Sequence, residues 1–415
     1  MTPGTDADGQ RSSELALKGI RVLDFTWVGA GALVTQTLAI HGAEVIKIES
    51  SVHPDNLRVS PPFSPGHENV NGSGYFISRN GNKHSFALNM RTDKAREIAR
   101  ALLEKSDIVT NNFRPGIMER WGLDYEQARA INPAVIYLAM PMLGSTGPHR
   151  DFVGFGSTIQ AVTGMVEISG LPDRLPIGTN THYPDHVPNP GHALVALLAA
   201  LYRRKVTGQG ANIELSQLES TVNVIGPEIL AASVGVRTTR SGNRVADAAP
   251  HGVFRCAGED SWCAIAVRTD AQWDGLRRVL DAEQVLGSPR FASAKARKAT
   301  EPELEQLISR YTVTWERELL AKALQQGGVP AYPVQSVGDL MADDQLQARE
   351  FWHHLDHAEI GPYVTGSLPF RWKDGPFGPT RPAPLLGEHT WEIAHRVLGL
   401  SKDDYDALCA EGVLR

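Results

Sequence analysis

The alternation of two hydrophobic periods through the first 140 residues constrains this chain most. Short runs rich in Val, Ile and Leu recur between stretches whose apolar residues fall three and four apart. Ile20, Val22, Leu23 and Phe25 read as a first strand, 31–41 as a short helix, and 43–49 (AEVIKIE) as a second strand. Thr92 is placed to cap a helix running to about Lys105, because Ala95, Ile98, Ala99, Leu102 and Leu103 share one helical face. Strand-like runs at 107–110 and 134–139 complete the rhythm. Strand, helix, strand in succession predicts an α/β domain with a parallel sheet, since a parallel neighbour needs a crossover long enough to hold a helix.

Helical patterns follow at 157–166 and 191–205, then the turn Gly208-Gln209-Gly210, a strand at 211–215 and a helix at 216–230. The texture changes near residue 240. The polar stretch 238–248 reads as a linker, 253–256 with 262–267 as a hairpin, and 270–281, 301–311 and 314–326 as helices, so 245–335 is expected to form a smaller α+β domain. A Pro- and Gly-rich segment over 361–387 leads to a last helix near 388–398.

Composition excludes several function classes. With 41 Lys+Arg against 47 Asp+Glu the net charge is −6, which gives no reason to expect nucleic acid or an anionic membrane as a partner. The longest strongly apolar run, 193–202, is half of the roughly 20 residues a bilayer requires and reads as a core helix. Residues 1–14 lack the basic and apolar regions of a signal peptide, so a loose tail over 1–16 and a cytoplasmic location are expected. Cys256, Cys263 and Cys409 are too few and scattered for a disulfide framework, and neither a Cys-x-x-Cys nor a His-Glu-x-x-His motif points to a metal.

After the first strand stands Gly29-Ala30-Gly31, with Glu49 twenty residues beyond Gly29. That spacing imitates a dinucleotide fingerprint, in which glycines let the backbone approach a pyrophosphate and an acid takes the ribose hydroxyls. Val34 stands where Gly or Ala is required, which argues against a nicotinamide cofactor. A βα turn at the carboxyl edge of a parallel sheet remains a natural nucleotide-facing position.

Several separated stretches resemble the class III CoA-transferase family, the formyl-CoA transferase and carnitine CoA-transferase group. They are Leu17-Lys-Gly-Ile-Arg-Val-Leu-Asp-Phe-Thr26, Gly42-Ala-Glu-Val-Ile-Lys-Ile-Glu49, Asn80-Gly-Asn-Lys83 with Leu88-Asn-Met90, Asn112-Phe-Arg-Pro-Gly116, Arg203 to Gly210, and Ala383-Pro-Leu-Leu-Gly-Glu-His-Thr390. The resemblance implies a Rossmann-like large domain built from both ends of the chain, 17–235 and a return segment 340–415, plus the smaller α+β domain, in an interlocked ring-like homodimer. It implies no permanently bound cofactor. Coenzyme A or acyl-CoA enters as substrate, with an acyl-CoA donor and a small carboxylic acid acceptor. The motif match carries CoA contacts onto Val28, Ala30, Asn80, Lys83, Asn112, Phe113, Arg114 and Arg120. The phosphates of CoA call for cations, which Arg79, Lys83, Arg114 and Arg120 offer, the lesser alternative for each being a solvated surface charge. Ser50 stands where many relatives carry a basic residue, so one phosphate contact is absent or supplied elsewhere, with Arg58 as the candidate.

The stretch 178–192 (GTNTHYPDHVPNPGH) precedes the apolar helix, and Asn189-Pro190 reads as its N-cap and first residue. Asp185 then sits in a tight Tyr-Pro-Asp turn, either as a turn residue bonding its own backbone or in a chemical role. The resemblance puts the catalytic aspartate at this place and implies that Asp185 carries first an acyl anhydride and then CoA as a thioester. An ordinary aspartate, ionised above a pKa of about 3.9, is a nucleophile without a general base. His182, His186 and His192 flank it and are placed either to orient a substrate carboxylate or merely to enter the helix. The glycine run that forms a lid in formyl-type members is missing from 240–260. Three alternatives remain. Intramolecular CoA transfer would use the same aspartate, an α-methylacyl-CoA racemase would need a histidine that 151–156 (DFVGFG) lacks, and a CoA-binding partner subunit would need no chemistry of its own.

Overall fold

The computed structural model of the protein describes residues 15–373, 375 and 378–415. The tail expected over 1–16 lies outside them except for Leu15 and Ala16. The chain forms two compact units, one from the residues up to Val166 with Gly178–Arg237 and Glu350–Arg415, the other from Glu167–Ile177 and Thr238–Arg349.

The first unit is built on six parallel strands: β1 (Arg21–Asp24), β2 (Glu44–Glu49), β3 (His84–Ala87), β4 (Ile108–Asn111), β5 (Ile136–Ala139) and β6 (Ala211–Glu214). Their order is β3-β2-β1-β4-β5-β6, with Leu23 paired to Ile46 on one side and to Val109 on the other. Successive side chains leave a strand on opposite faces. Val22 therefore joins a core with Val34 and Leu38 of helix α1 (Gly29–Ile40), whereas Leu23 joins one with Leu102 and Leu103 of a helix on the other face. Both residues are fully buried, as expected for a parallel sheet covered on both sides. Two short helices, α2 (Gly74–Arg79) and α3 (Asp93–Glu104), follow in sequence, and the Thr92 hydroxyl caps α3 by accepting from the Ala95 amide at 3.2 Å. Helix α3 is amphipathic and buries Ala95, Ala99, Leu102 and Leu103, each leucine worth roughly 1.5–3 kcal/mol.

Two details differ from the sequence reading. The long helix starts at Pro188, so Asn189 lies inside its first turn instead of capping it, and its amide donates to Gln217 Oε1 at 3.1 Å. The Pro- and Gly-rich segment 361–387 opens on a strand that the sequence reading did not assign, β11 (Gly361–Gly366), paired antiparallel with β10 (Trp352–His357) before it. Among the described residues no helix is long and apolar enough to cross a membrane.

The second unit carries three antiparallel strands, β7 (His251–Arg255), β8 (Trp262–Ala266) and β9 (Ala331–Pro333), in that order. Its core joins Phe254 and Ile265 to Trp273, Leu276, Leu304, Ile308, Leu320 and Leu324 from its helices.

Candidate active site

The strand order reverses at β1, with β2 on one side and β4 on the other, and ligands of open parallel sheets bind at the carboxyl ends of strands at such a point. The loops after β1 and β4 are tied together there. Asn112 accepts from the Trp27 amide at 2.9 Å and donates to the Trp27 carbonyl at 2.6 Å. Val28 holds φ 59° and ψ −147°, a left-handed conformation that is costly for a β-branched residue. Its amide donates to Asp55 Oδ1 at 3.1 Å, which helps hold the strained turn that starts α1.

Beneath this loop lies a buried polar network. Asp24 accepts from Thr26, Thr35, Thr110 and Lys83, and the Lys47 ammonium donates to the Thr26 carbonyl and to Asp55. Burial raises the Asp24 pKa, but Lys83, Lys47 and the hydroxyls outweigh it and leave the carboxyl below its ordinary value. Burial pushes Lys83 down to about 8 against the pull of Asp24. Its other partner is Asn80 Oδ1 at 2.8 Å.

Two cavities open above the switch point. The first, about 650 Å³, is lined by Val28, Gly29, Ala30, Asn112, Phe113, Arg114, Arg150, Gly156, Asp185 and Gln217, among others. The second, about 500 Å³, shares Trp27 and Phe113 with it and adds Ser50, His53, Arg91, Arg120 and Trp121. Of the residues singled out by sequence, Asp185, Val28, Ala30, Asn112, Phe113 and Arg114 thus meet in the first cavity, and Arg120 lines the second. Asn80 and Lys83 line neither, being held in the network under the loop. Arg58 is fully buried on Glu49 through two bonds of 2.8 and 2.7 Å, so it does not supply the missing phosphate cation. His192 bonds Ser220 Oγ at 2.7 Å and belongs to helix packing.

Asp185 sits in the one-turn helix Tyr183–His186, only 4% exposed. Two glycines make room for it. A Cβ on Gly29 would lie 2.8 Å from Asp185 Cβ, and one on Gly156 would lie 2.8 Å from Asp185 Oδ2, so any side chain at either position displaces the carboxylate. The Gly156 amide bonds the carboxylate and favours its charged form, but burial is stronger and pushes the pKa up to about 7. An ordinary carboxylate pKa, expected from sequence, is therefore corrected by desolvation. Gln217, which lines the cavity beside Asp185, donates to the Met140 carbonyl at 2.8 Å and accepts from Asn189.

Sequence reasoning missed Trp27, Gly156, Gln217 and Arg91. Arg91 follows β3, and a strand assigned to His84–Ala87 would have placed it at the same sheet edge as Val28 and Asn112. Among the described residues no group of three His, Cys, Asp or Glu side chains is arranged to hold a metal.

Fold and cavities together define a doubly wound α/β protein in which the buried carboxylate of Asp185 shares a cavity with Arg114 and Arg150. Residues 17–390 match CoA-transferase family III, and the chain belongs to that family, whose class of activity is CoA transfer. It is 33% identical over 407 residues to a probable CoA-transferase of Mycobacterium tuberculosis, covering 96% of this chain and 50% of that one. The chain thus spans about half the length of that relative. The succinate–glutarate CoA-transferase of Agrobacterium fabrum is 32% identical over 381 residues, covering 91% of this chain and 94% of that protein. A crystal structure of a CAIB/BAIF family protein from Brucella suis aligns with a TM-score of 0.85 at 30% identity, over 92% of this chain and 100% of that one.

Proposed function

We propose that the protein moves CoA from an acyl-CoA thioester to a carboxylic acid acceptor, with Asp185 as the covalent carrier. The observation that carries this reading is a nearly buried carboxylate seated between two obligatory glycines on the wall of a cleft at the sheet's switch point. The Asp185 carboxylate attacks the donor carbonyl, the C–S bond breaks, and an acyl-aspartyl anhydride forms with CoA thiolate. Thiolate attack on the aspartyl carbonyl releases the donor acid and leaves an aspartyl-CoA thioester. The acceptor carboxylate displaces CoA to form a second anhydride, and the thiolate then takes the acceptor acyl group and frees Asp185. Each addition places negative charge on an oxygen beside the start of α1, where unpaired backbone amides favour it. A donor-by-acceptor screen with mass-spectrometric detection of acyl-CoA products tests the reading. Transfer to no carboxylic acid, with turnover of the same acyl-CoA by another route, would overturn it.

CoA is proposed to lie across both cavities, its nucleotide in the second near Arg91 and Arg120 and its thiol end in the first. Trp27 and Phe113, edge to face at 5.6 Å, stand where the two meet. A charge-assisted bond to phosphate is worth roughly 1.5–3 kcal/mol. Arg120→Ala and Arg91→Ala are each expected to weaken CoA binding by about tenfold or more in calorimetric titration. At least one should lose most of its effect with 3′-dephospho-CoA, and equal binding by wild type and both variants would contradict the placement.

A homodimer, threaded as the family resemblance implies, is part of the same proposal. The helix Pro188–Thr207 leaves Val195, Leu198, Tyr202 and Val206 at 69, 50, 72 and 68% exposure along one stripe, an apolar face of the kind that marks an interface. Light scattering should give about twice the 45.2 kDa chain mass at high dilution, and a folded monomer there would exclude it.

A further inference from the structure

A segment far from the cavities in sequence borders the second of them. Among that cavity's lining residues the one carboxylate, Glu49, is covered by Arg58, so no acid of the cavity neutralises the lining cations Arg91 and Arg120. Ser50 lines the same space and is neutral, and its hydroxyl donates to the Arg415 carbonyl oxygen at 2.8 Å. Asn89, another lining residue, donates its backbone amide to the Val413 carbonyl at 2.8 Å and its side-chain amide to the Gly412 carbonyl at 3.2 Å. Residues 412–415 therefore follow the rim between Asn89 and Ser50, anchored by Val413 and Leu414, which are buried in the same core as Leu88 and Met90. Arg415 itself is exposed. Its stem folds back over Gly412, where φ is +71° and a Cβ would lie 3.0 Å from Arg415 Nε. Among the described residues no hydrogen bond or ion pair engages its guanidinium. A permanent charge in a planar fork, rooted at the rim of a cavity, is suited to an anion with several oxygens.

The geometry also separates the phosphates of CoA. Ser50, Asn89 and Arg91 line the second cavity and not the first, so this rim lies away from Trp27 and Phe113, where the two meet. With the thiol end of CoA at Asp185, the pyrophosphate comes nearer that junction and the phosphate on the ribose lies further out. We propose that Arg415 binds the 3′-phosphate of CoA beside Arg91 and Arg120 and makes the protein select CoA over its 3′-dephospho form. The assignment rests on the CoA-transfer reading and its placement of the nucleotide in the second cavity.

The test titrates CoA and 3′-dephospho-CoA calorimetrically into wild type, Arg415→Ala and Arg415→Lys, with urea unfolding of each protein as the control for folding. Wild type should bind CoA more tightly than 3′-dephospho-CoA. Arg415→Ala should weaken CoA binding by about tenfold or more, the scale of one charge-assisted contact, and change 3′-dephospho-CoA binding by less than about twofold. Arg415→Lys keeps the charge without the fork and should lose less. Discrimination between the two ligands that survives intact in Arg415→Ala, or an equal loss of both, would overturn the proposal and leave the CoA-transfer reading standing. Should Arg415→Ala fail to fold, the wild type and Arg415→Lys decide, and equal binding of the two ligands by wild type overturns the proposal. Binding of neither ligand by wild type would defeat the CoA-transfer reading and the proposal with it.

Discussion

Asp185→Asn is expected to fold, bind CoA and lose turnover by ~10³-fold or more, because removing a nucleophile eliminates the pathway instead of weakening one contact. The pH profile should carry the same signature. Burial raises the carboxyl to about 7 and only its ionised form attacks, so turnover should rise as pH climbs through about 7 and level off above it. Stability should move the opposite way. A carboxylate whose folded pKa is raised costs nothing below its unfolded pKa near 3.8 and its full penalty above about 7, a difference of up to ~4 kcal/mol. In urea unfolding, Asp185→Asn should therefore gain on wild type between pH 5.5 and pH 8.5. A merely structural turn aspartate would show near-normal turnover and a loss of about 1 kcal/mol at both pH values.

The second large effect is on folding. Arg58 and Glu49 are both fully buried, joined by two parallel bonds, and the guanidinium stacks on Phe76 with its carbon 3.6 Å from the ring centroid. Burial raises the Glu49 pKa, but Arg58 overrides it and holds the carboxyl below its ordinary value. Arg58→Met keeps much of the stem's volume and leaves Glu49 with Ser85 and the more distant Lys47 charge, so a loss of about 3–5 kcal/mol at neutral pH is expected. The deficit should shrink in acid, where Glu49 takes up a proton and ceases to be an unpaired charge. Urea unfolding at pH 7 and pH 5 measures both. A loss below ~1 kcal/mol would mean that the pair is not what anchors this segment.

The parallel-sheet half of the fold was legible because β1 and β2 stand out as short apolar runs and α3 carries a clear helical period, whereas α1 is buried on nearly all sides and shows no one-sided pattern. Strand β3 was not legible, since His-Ser-Phe-Ala is four residues long and contains no β-branched side chain, and with it went the placement of Arg91. Asp185 was legible from its turn, its distance to the following helix and the family resemblance. What sequence shows of a charge is its presence, not its burial. Lys83 read as a phosphate ligand because its partner Asp24 is 59 positions away, and Arg58 read as a free cation although Glu49 covers it. The desolvation of Asp185 is likewise a property of packing, set by Gly29 and Gly156 arriving from two different helices.

Covalent carriage by Asp185 is tested most directly by trapping. Wild-type protein is incubated with an acyl-CoA that it turns over, quenched with hydroxylamine or borohydride, and mapped by peptide mass spectrometry. Modification of Asp185 alone, dependent on acyl-CoA and absent when CoA is supplied without an acyl group, is the predicted result. Turnover that proceeds with Asp185 unmodified, or with the label on another residue, would contradict it.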